Sequence, residues 1–109
     1  MNERDEPDAF DRYQIEAMKT AMFSHSYYPL ASLMIEAAEL ADLFTKPLLR
    51  GDNKRIRRDN VVSEAGDVLW NLTATLEGEG IALTEVAAYN IEKLRRRQAD
   101  GTIMGDGDR

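Results

Sequence analysis

The chain has 109 residues, enough for one domain with one modest core. It has no cysteine, which excludes disulfide bonds, zinc–thiolate sites and thiol catalysis. Its formal net charge of -6 argues against general nucleic-acid binding, and it has no run of about 18 apolar residues that could span a membrane. Residues 1–11 are acidic and lack the basic and apolar segments of a secretion signal. We therefore expect a cytoplasmic protein that forms a single domain over residues 1–109 and binds neither nucleic acid nor membrane.

Apolar side chains recur at spacings of three and four residues in every long segment, which predicts helices, and no segment alternates as a strand does. The predicted helices cover residues 8–24, 30–44, 59–76 and 84–98, with non-helical tails at 1–7 and 99–109. The second helix is apolar on almost every face, and three partner helices in a chain this short cannot cover it. The sequence therefore predicts an all-α fold, a four-helix bundle that oligomerisation completes.

Prolines and one threonine predict where the helices begin and end. Tyr28-Pro29 is expected to separate the first two helices, because the residue before a proline is pushed out of the helical region. The second helix is expected to stop before Pro47. Six basic residues fall in the segment 46–58, which is predicted to be a loop that either lies in solvent or faces an anionic ligand. Thr84 is expected to cap the start of the fourth helix.

Two pairs of acids occur inside the apolar second and third helices, and neither helix carries a Lys or Arg. Glu36 and Glu39 are three residues apart, as are Glu64 and Asp67, so each pair projects from one helix face. A buried carboxylate without a partner costs several kcal/mol or takes up a proton. If the helices pack antiparallel, the four carboxylates can converge on a divalent cation, and such hard oxygen ligands favour Mg²⁺ or Mn²⁺. The alternative is that both pairs are solvent-facing stripes of amphipathic helices.

Three polar residues of the fourth helix lie on one stripe that becomes positive toward the end of the helix. Asn90, Lys93 and Arg97 are spaced by three and four residues. Their charges either complement the helix dipole or contact a phosphate group. On the third helix, Asn71 extends the stripe of the second acidic pair by one turn. His25 is the single histidine, and we interpret it as structural because no second histidine completes a di-iron motif.

The acidic motifs occur in a wider pattern that covers most of the chain. The E-x-x-E of the second helix is followed, after 24 residues, by the E-x-x-D of the third. The accompanying segments are Tyr13-Gln14, Tyr28-Pro29-Leu30, Glu64–Leu72, Asn90–Arg97 and the glycine-rich tail Gly101–Arg109. Together they resemble the MazG-type nucleoside triphosphate pyrophosphohydrolases, and the tail looks like the ending of small, often phage-encoded members.

The resemblance implies an activity, a cofactor and a set of site residues. Family members use Mg²⁺, with Mn²⁺ as a substitute, to hydrolyse a nucleoside triphosphate to the monophosphate and pyrophosphate, and they assemble as homodimers or homotetramers. The implied metal ligands are Glu36, Glu39, Glu64 and Asp67, of which Glu36 or Glu39 would orient or deprotonate the attacking water. The implied substrate contacts are Asn71, Asn90, Lys93, Arg97 and, more weakly, Lys54 and the tail. A phage-encoded member would act in the host cytoplasm.

Two other interpretations remain open at this point. One is a different enzyme on the same architecture, such as a phosphoribosyl-ATP pyrophosphohydrolase, which differs in the substrate that it hydrolyses. The other is a non-catalytic helical interaction module whose acids lie on the surface. A ligand that binds only the folded state raises the melting temperature, so a melting temperature indifferent to millimolar Mg²⁺ would favour the module.

Overall fold

The computed structural model describes residues 8–22, 27–51 and 56–101. Over these ranges the chain forms four helices and no strand: α1 over Ala9–Met18, α2 over Tyr27–Leu49, α3 over Arg58–Gly78 and α4 over Leu83–Ala99. The expected all-α architecture with four helices is confirmed. Among these helices, none combines the length and the apolar character that crossing a membrane requires.

The α2–α3 pair is the most extensively packed part of the fold. The 23 residues of α2 extend for about 34 Å at the rise of an α-helix. The connection of residues 50–57 reaches at most about 28 Å when it is fully extended, so it cannot return the chain to the beginning of α2. α3 therefore runs back along α2 in the antiparallel direction, which sets the acidic stripes of the two helices side by side.

α1 lies against both α3 and α4. Its start is capped by Asp8, whose side chain accepts a backbone N–H of the first turn at 2.9 Å. Gln14 and Ala17 form the buried side of this helix. Just beyond its end, Trp70 of α3 donates its ring N–H to the hydroxyl of Thr20 at 2.9 Å. The Trp70 hydrogen bond attaches the end of this short helix to α3.

α1 ends at Met18, well before the end predicted at residue 24. The backbone tightens there, because the N–H of Thr20 bonds to the carbonyl of Ala17 at 3.0 Å, three residues back rather than four. The hydroxyl of Thr20 donates to the same carbonyl at 2.7 Å. The predicted end was wrong because the apolar spacing continues into Met22, which is fully exposed in the protomer.

α2 is longer than predicted at both ends. It begins at Tyr27, so Pro29 lies in its first turn, where a missing N–H costs nothing because that group has no partner within the helix. It also continues through Pro47, and its last turn closes with the N–H of Arg50 bonded to the carbonyl of Lys46 at 3.2 Å. The predicted break before Pro29 and the predicted stop before Pro47 are therefore wrong.

The loop predicted over residues 46–58 is shorter than expected at both ends. α2 takes its first four residues, and α3 begins at Arg58. Gly51 lies just beyond α2 with φ of +65°, a left-handed conformation that glycine adopts without steric cost. The helix therefore ends at a glycine rather than at the proline.

Thr84 does not cap α4. The residue at the N-cap position is Ala82, with φ of -79° and ψ of 137°, and its side chain makes no capping hydrogen bond. The N–H of Leu83 is instead accepted by the side-chain oxygen of Gln14, from α1, at 2.7 Å. The hydroxyl of Thr84 donates to the carboxylate of Asp8 at 2.5 Å. The predicted cap was wrong because a side chain remote in sequence supplies the acceptor.

Few apolar side chains are buried within the described part of one protomer. The buried apolar residues there are Ala17, Ala74 and Leu83. Six large apolar residues of α2 are exposed: Leu30, Met34, Ile35, Phe44, Leu48 and Leu49. The Cα radius of gyration is 17.2 Å, whereas a compact chain of this length has about 13 Å. This open arrangement supports the prediction that further copies cover α2, and the oligomer itself stays a prediction.

Candidate metal centre

Three of the four predicted acids come together between α2 and α3. Glu36 comes from α2, and Glu64 and Asp67 come from α3. One carboxylate oxygen from each of the three lies within 4.8 Å of the other two. Glu36 and Glu64 are half-buried, whereas Asp67 is exposed to solvent. The antiparallel packing of two helices that each carry acids three residues apart is what produces this cluster.

Two oxygens of the cluster are buried and have no donor. Glu36 Oε2 and Glu64 Oε2 make no hydrogen bond in the structure. An oxygen removed from water without a hydrogen-bond partner costs free energy, and a charged one costs more than a neutral one. A cation bound between the helices would remove this cost for both oxygens together.

The electrostatics of the cluster also favour a bound cation. Burial raises the pKa of Glu36 above its ordinary value of 4.5, and the charges of Glu39 and Asp67 raise it further. Burial likewise raises the pKa of Glu64, again with Glu39 and Asp67 as the neighbouring charges. The carboxylates therefore repel one another, so the folded chain holds them together against their mutual repulsion.

Glu39 lies beside the three-oxygen cluster rather than within it. Its carboxylate is outside the group whose oxygens all fall within 4.8 Å of one another. Its charge nevertheless raises the pKa of both Glu36 and Glu64, so it lies close to each of them. Glu39 is exposed, which leaves its carboxylate accessible to water.

The residues present suit Mg²⁺ or Mn²⁺. The cluster offers carboxylate oxygens only, which are the hard ligands that these ions prefer. Two oxygens on opposite sides of one Mg²⁺ are about 4.2 Å apart, since each lies about 2.1 Å from the ion. A separation of up to 4.8 Å closes to that value through rotation of the terminal carboxylate torsions, which are soft.

Asn71 continues the acidic stripe one turn beyond Asp67 and is buried. Its Nδ2 donates to the carbonyl of Asp67 at 2.8 Å. Its Oδ1 is buried and has no hydrogen-bond partner. The unpaired oxygen is an acceptor, which suits a hydroxyl or a water molecule as its partner.

The predicted α4 stripe lines a separate groove. Asn90 and Lys93 border a cavity of about 340 Å³ on α4, whose other lining residues are Ile81, Glu85, Val86 and Tyr89. None of the four predicted metal-binding acids lines it. Arg97 lies one turn beyond Lys93 and is half-buried. Within one protomer, the structure thus brings Asn90 and Lys93 together but does not bring them into one cavity with the acids.

Sequence reasoning missed the contribution of Glu85 to this groove. Glu85, Tyr89 and Lys93 recur every four residues, so they lie on one face of α4. That spacing could have grouped them, but it could not have distinguished a groove from an exposed surface. Gln14 was missed as a contact of α4, and no local pattern indicates it because its partner Leu83 is 69 residues away.

Several predictions fall on residues that the structure does not describe. His25, interpreted as structural, and Lys54, predicted as a weak substrate contact, both lie outside the described residues. Residues 1–7 and 102–109, predicted as tails, also lie outside them. α4 includes Ala99, which was predicted to be the first residue of the non-helical C-terminal tail, so the prediction was wrong at this one position.

The fold and the carboxylate cluster define an all-α protein with a candidate site for a divalent cation. The family model of the MazG nucleotide pyrophosphohydrolase domain matches residues 25–102, which include all four acids and the α4 stripe. The match covers more than half of the chain, and the chain belongs to this family. The resemblance proposed from the sequence motifs is thereby confirmed.

A relative of almost the same extent comes from a bacteriophage. The Gene 37 protein of Mycobacterium phage L5 is 31% identical, and the aligned region covers 90% of this chain and 96% of that protein. No solved structure matches the chain significantly. The family membership therefore rests on sequence, and the all-α fold of the structure agrees with it.

Proposed function

We propose that this protein is a Mg²⁺-dependent nucleoside triphosphate pyrophosphohydrolase, which converts an NTP or dNTP to its monophosphate and pyrophosphate. The observation that carries the proposal is the pair of buried, unpartnered oxygens of Glu36 and Glu64, held beside Asp67 in a member of the MazG family. A structural role would pair such oxygens with donors of the chain. A cation site leaves them unpaired until the cation binds.

The acids divide into ligands and a candidate base. Glu36, Glu64 and Asp67 have the mutual distances of a ligand set, and Glu39 is proposed as the fourth member of the site. When bound there, Mg²⁺ would neutralise phosphate charge and make water more acidic. Glu39 is exposed and lies close to both glutamates, so it is the acid best placed to orient a water molecule and accept its proton. Glu36 is the alternative base, because its carboxylate belongs to the same cluster.

The neutral and basic residues are proposed to hold the substrate. Lys93 and Arg97 would bind the phosphates by charge, Lys as a point charge and Arg as a bidentate fork. Asn90 borders the same groove as Lys93 and would add an amide donor. The unpaired oxygen of Asn71 would accept from a sugar hydroxyl or a bound water. Lys54 is kept as a weaker contact on the strength of the family resemblance alone.

In the proposed reaction, water attacks in line and the oxygen bridge between the α and β phosphorus atoms is broken. One new P–O bond to the water oxygen forms, and one bridging P–O bond is lost. The proton of the water passes to the carboxylate base. Negative charge develops on the leaving group, and Lys93 and Arg97 would stabilise it.

Assembly and location belong to the same proposal. The exposed apolar side chains of α2 support a homodimer or homotetramer in which helices of different copies pack together. The proposed location is the cytoplasm, and for a phage protein, as the relative suggests, the cytoplasm of the host cell. Nucleoside triphosphates are the proposed small-molecule partner.

The proposal is tested by assaying pyrophosphate release from a panel of NTPs, dNTPs and phosphoribosyl-ATP, each with Mg²⁺ and with EDTA. We expect Mg²⁺-dependent release from at least one nucleoside triphosphate and loss of about 100-fold or more in kcat/KM for Glu36→Gln. Asp42→Asn is the matched control, since Asp42 lies on the same helix and, among the described residues, its ion pair is with Lys46 at 3.3 Å. Turnover of phosphoribosyl-ATP alone, or none of any substrate, would contradict the proposal.

A further inference from the structure

α1 precedes the segment that defines the family, since residues 25–102 match the family model and α1 covers Ala9–Met18. It is nevertheless the helix that connects the two parts of the candidate site. In the described structure, α4 packs chiefly against α1, and α1 also packs against α3. The position of α4 relative to the acids of α3 is therefore set through α1.

The side chain of Gln14 makes three hydrogen bonds to residues outside α1. The residue is buried, with 8% of its surface exposed. Its Nε2 donates to Glu77 Oε1 at 3.0 Å and to the carbonyl of Ile81 at 3.2 Å. Its Oε1 accepts the N–H of Leu83 at 2.7 Å. One side chain of α1 thus holds the end of α3, the turn that follows and the first residue of α4.

The contact to Leu83 takes the place of a helix cap. Ala82, at the N-cap position, has no side chain that could accept a hydrogen bond. The first N–H groups of a helix have no partner within it, so the acceptor must come from elsewhere. Gln14 supplies it, and the hydrogen bond from Thr84 to Asp8 adds a second contact between the start of α4 and the start of α1.

The opposite end of α1 is attached near the acids. The ring N–H of Trp70 donates to Thr20 at 2.9 Å and to the carbonyl of Ala17 at 3.3 Å. Trp70 is adjacent in sequence to Asn71 and lies one turn from Asp67. α1 is therefore fixed to the acidic helix at one end and to the start of α4 at the other.

A small change in the direction of α4 at its first residue displaces the polar side chains farther along the helix. Asn90 and Lys93 lie seven and ten residues beyond Leu83, or about 10 and 15 Å along the helix axis. A tilt of about 4° at Leu83 would move Lys93 by about 1 Å. A misplacement of this size costs up to about 100-fold in rate when it affects groups that position a substrate.

We propose that Gln14 is a positioning residue, which sets the direction of α4 and so places Asn90 and Lys93 for the substrate. This inference rests on the proposed function, because it takes those two residues to be substrate contacts. Gln14 itself is not proposed to touch the substrate. It acts through the N–H of Leu83 and through Glu77.

The test compares wild type with Gln14→Glu and with the double variant Gln14→Glu, Glu77→Gln. Gln14→Glu keeps an acceptor for the N–H of Leu83 but places a carboxylate against that of Glu77, so the two side chains repel each other. The double variant restores a donor and acceptor pair between positions 14 and 77 with the roles exchanged, while the carbonyl of Ile81 lacks its donor in both variants. Glu16→Gln is the matched control, because Glu16 lies exposed on the same helix and, within the described part of the chain, pairs with Lys19.

We expect Gln14→Glu to lower kcat/KM for pyrophosphate release by about 10- to 100-fold. The Mg²⁺ concentration that half-saturates the thermal shift should stay within about twofold, because the acids belong to α2 and α3. The double variant should recover kcat/KM to within about fivefold of wild type, and Glu16→Gln should not change it.

Three results would overturn the inference. The first is an unchanged kcat/KM in Gln14→Glu while wild type is active, which would leave the proposed function intact. The second is a parallel loss of activity and of the Mg²⁺ thermal shift, because Gln14 would then only hold the fold. The third is no recovery in the double variant. A wild type that releases no pyrophosphate from any nucleoside triphosphate would instead overturn the proposed function, and this inference with it.

Discussion

Glu36 on α2 and Glu64 on α3 contribute to one cluster, and each buries a carboxylate oxygen, Oε2, that has no hydrogen-bond partner. Both pKa values are raised, first by burial and then by the charges of Glu39 and Asp67. The α2–α3 pair therefore holds carboxylates whose burial and mutual repulsion are unfavourable. Such an arrangement lowers stability unless it serves a bound cation, which leads to predictions on stability as well as on activity.

The first prediction concerns the stability of the metal-free protein. Replacing Glu64 with its neutral isostere, Glu64→Gln, removes one of the repelling charges, so the variant should melt higher than wild type in EDTA at neutral pH. Asp67→Asn should act in the same direction. With Mg²⁺ the order should reverse, because wild type gains stability by mass action, about 2.7 kcal/mol at 100 times the dissociation constant, while the variants gain little.

Thermal melts of wild type, both variants and Asp59→Asn, each with EDTA and with Mg²⁺, check this prediction. Asp59 is a suitable control because it lies exposed at the start of the same helix and pairs with Arg57 at 3.6 Å. A structural role for the acids gives the opposite pattern. The variants would then melt lower than wild type in EDTA, and Mg²⁺ would shift none of the proteins.

The second prediction is a pH dependence of the metal-free protein. A carboxyl group whose pKa is raised by folding binds more protons in the folded state than in the unfolded state. Its contribution to stability is therefore complete below the ordinary pKa of 4.5 and is lost as the pH rises through the raised value. The melting temperature in EDTA should thus fall as the pH rises from about 4.5 toward neutrality.

Asp8 sets the lowest pH at which these melting temperatures report on the acid cluster alone. Its pKa is lowered, mainly by the hydrogen bond from Thr84, so its contribution to stability is lost as the pH falls through the lowered value. Melting temperatures measured from about pH 4.5 upward avoid this opposite trend. A double variant Glu36→Gln, Glu64→Gln should flatten the profile. A profile that keeps its full slope in this double variant would show that other groups cause it.

The third prediction concerns the α4 stripe. Lys93→Ala or Arg97→Ala should lower kcat/KM for triphosphate hydrolysis by about 10- to 100-fold, the effect of losing a charge-assisted contact of about 1.5–3 kcal/mol. The Mg²⁺ concentration that half-saturates the thermal shift should change little. Arg95→Ala is the control, since Arg95 is exposed and lies nearly opposite Lys93 around the helix. Values of kcat/KM within twofold of wild type for both substitutions would show that these charges only complement the helix dipole.

The fourth prediction concerns assembly. Met34 on α2 is 76% exposed in the protomer, and the proposed oligomer would cover it. Light scattering at micromolar concentration should give at least twice the chain mass of 12.3 kDa. Met34→Glu should shift the distribution toward the monomer and lower the melting temperature, because a charge cannot be buried in an apolar interface without a partner. Met34→Leu should behave as wild type. A wild-type mass of one chain would contradict this prediction.

Features that repeat along a helix could be predicted from the chain alone. Four helices follow from the spacing of apolar residues, and each pair of acids lies on one helix face because residues three apart are neighbours there. The acid pairs and the segments that accompany them together carried the family resemblance, which the match over residues 25–102 confirms. These predictions needed no knowledge of partners, since the geometry of one helix relates residues that are close in sequence.

Contacts between distant residues could not be predicted in this way. Thr84 is not a cap because Gln14, 69 residues before Leu83, supplies the acceptor for the N–H of Leu83. The separation of the α4 groove from the acid cluster, and the unpartnered oxygen of Asn71, likewise depend on how whole helices pack. Helical periodicity specifies the face on which a side chain lies, whereas the neighbour that meets this face is set by the packing of α1 and α2 onto α3.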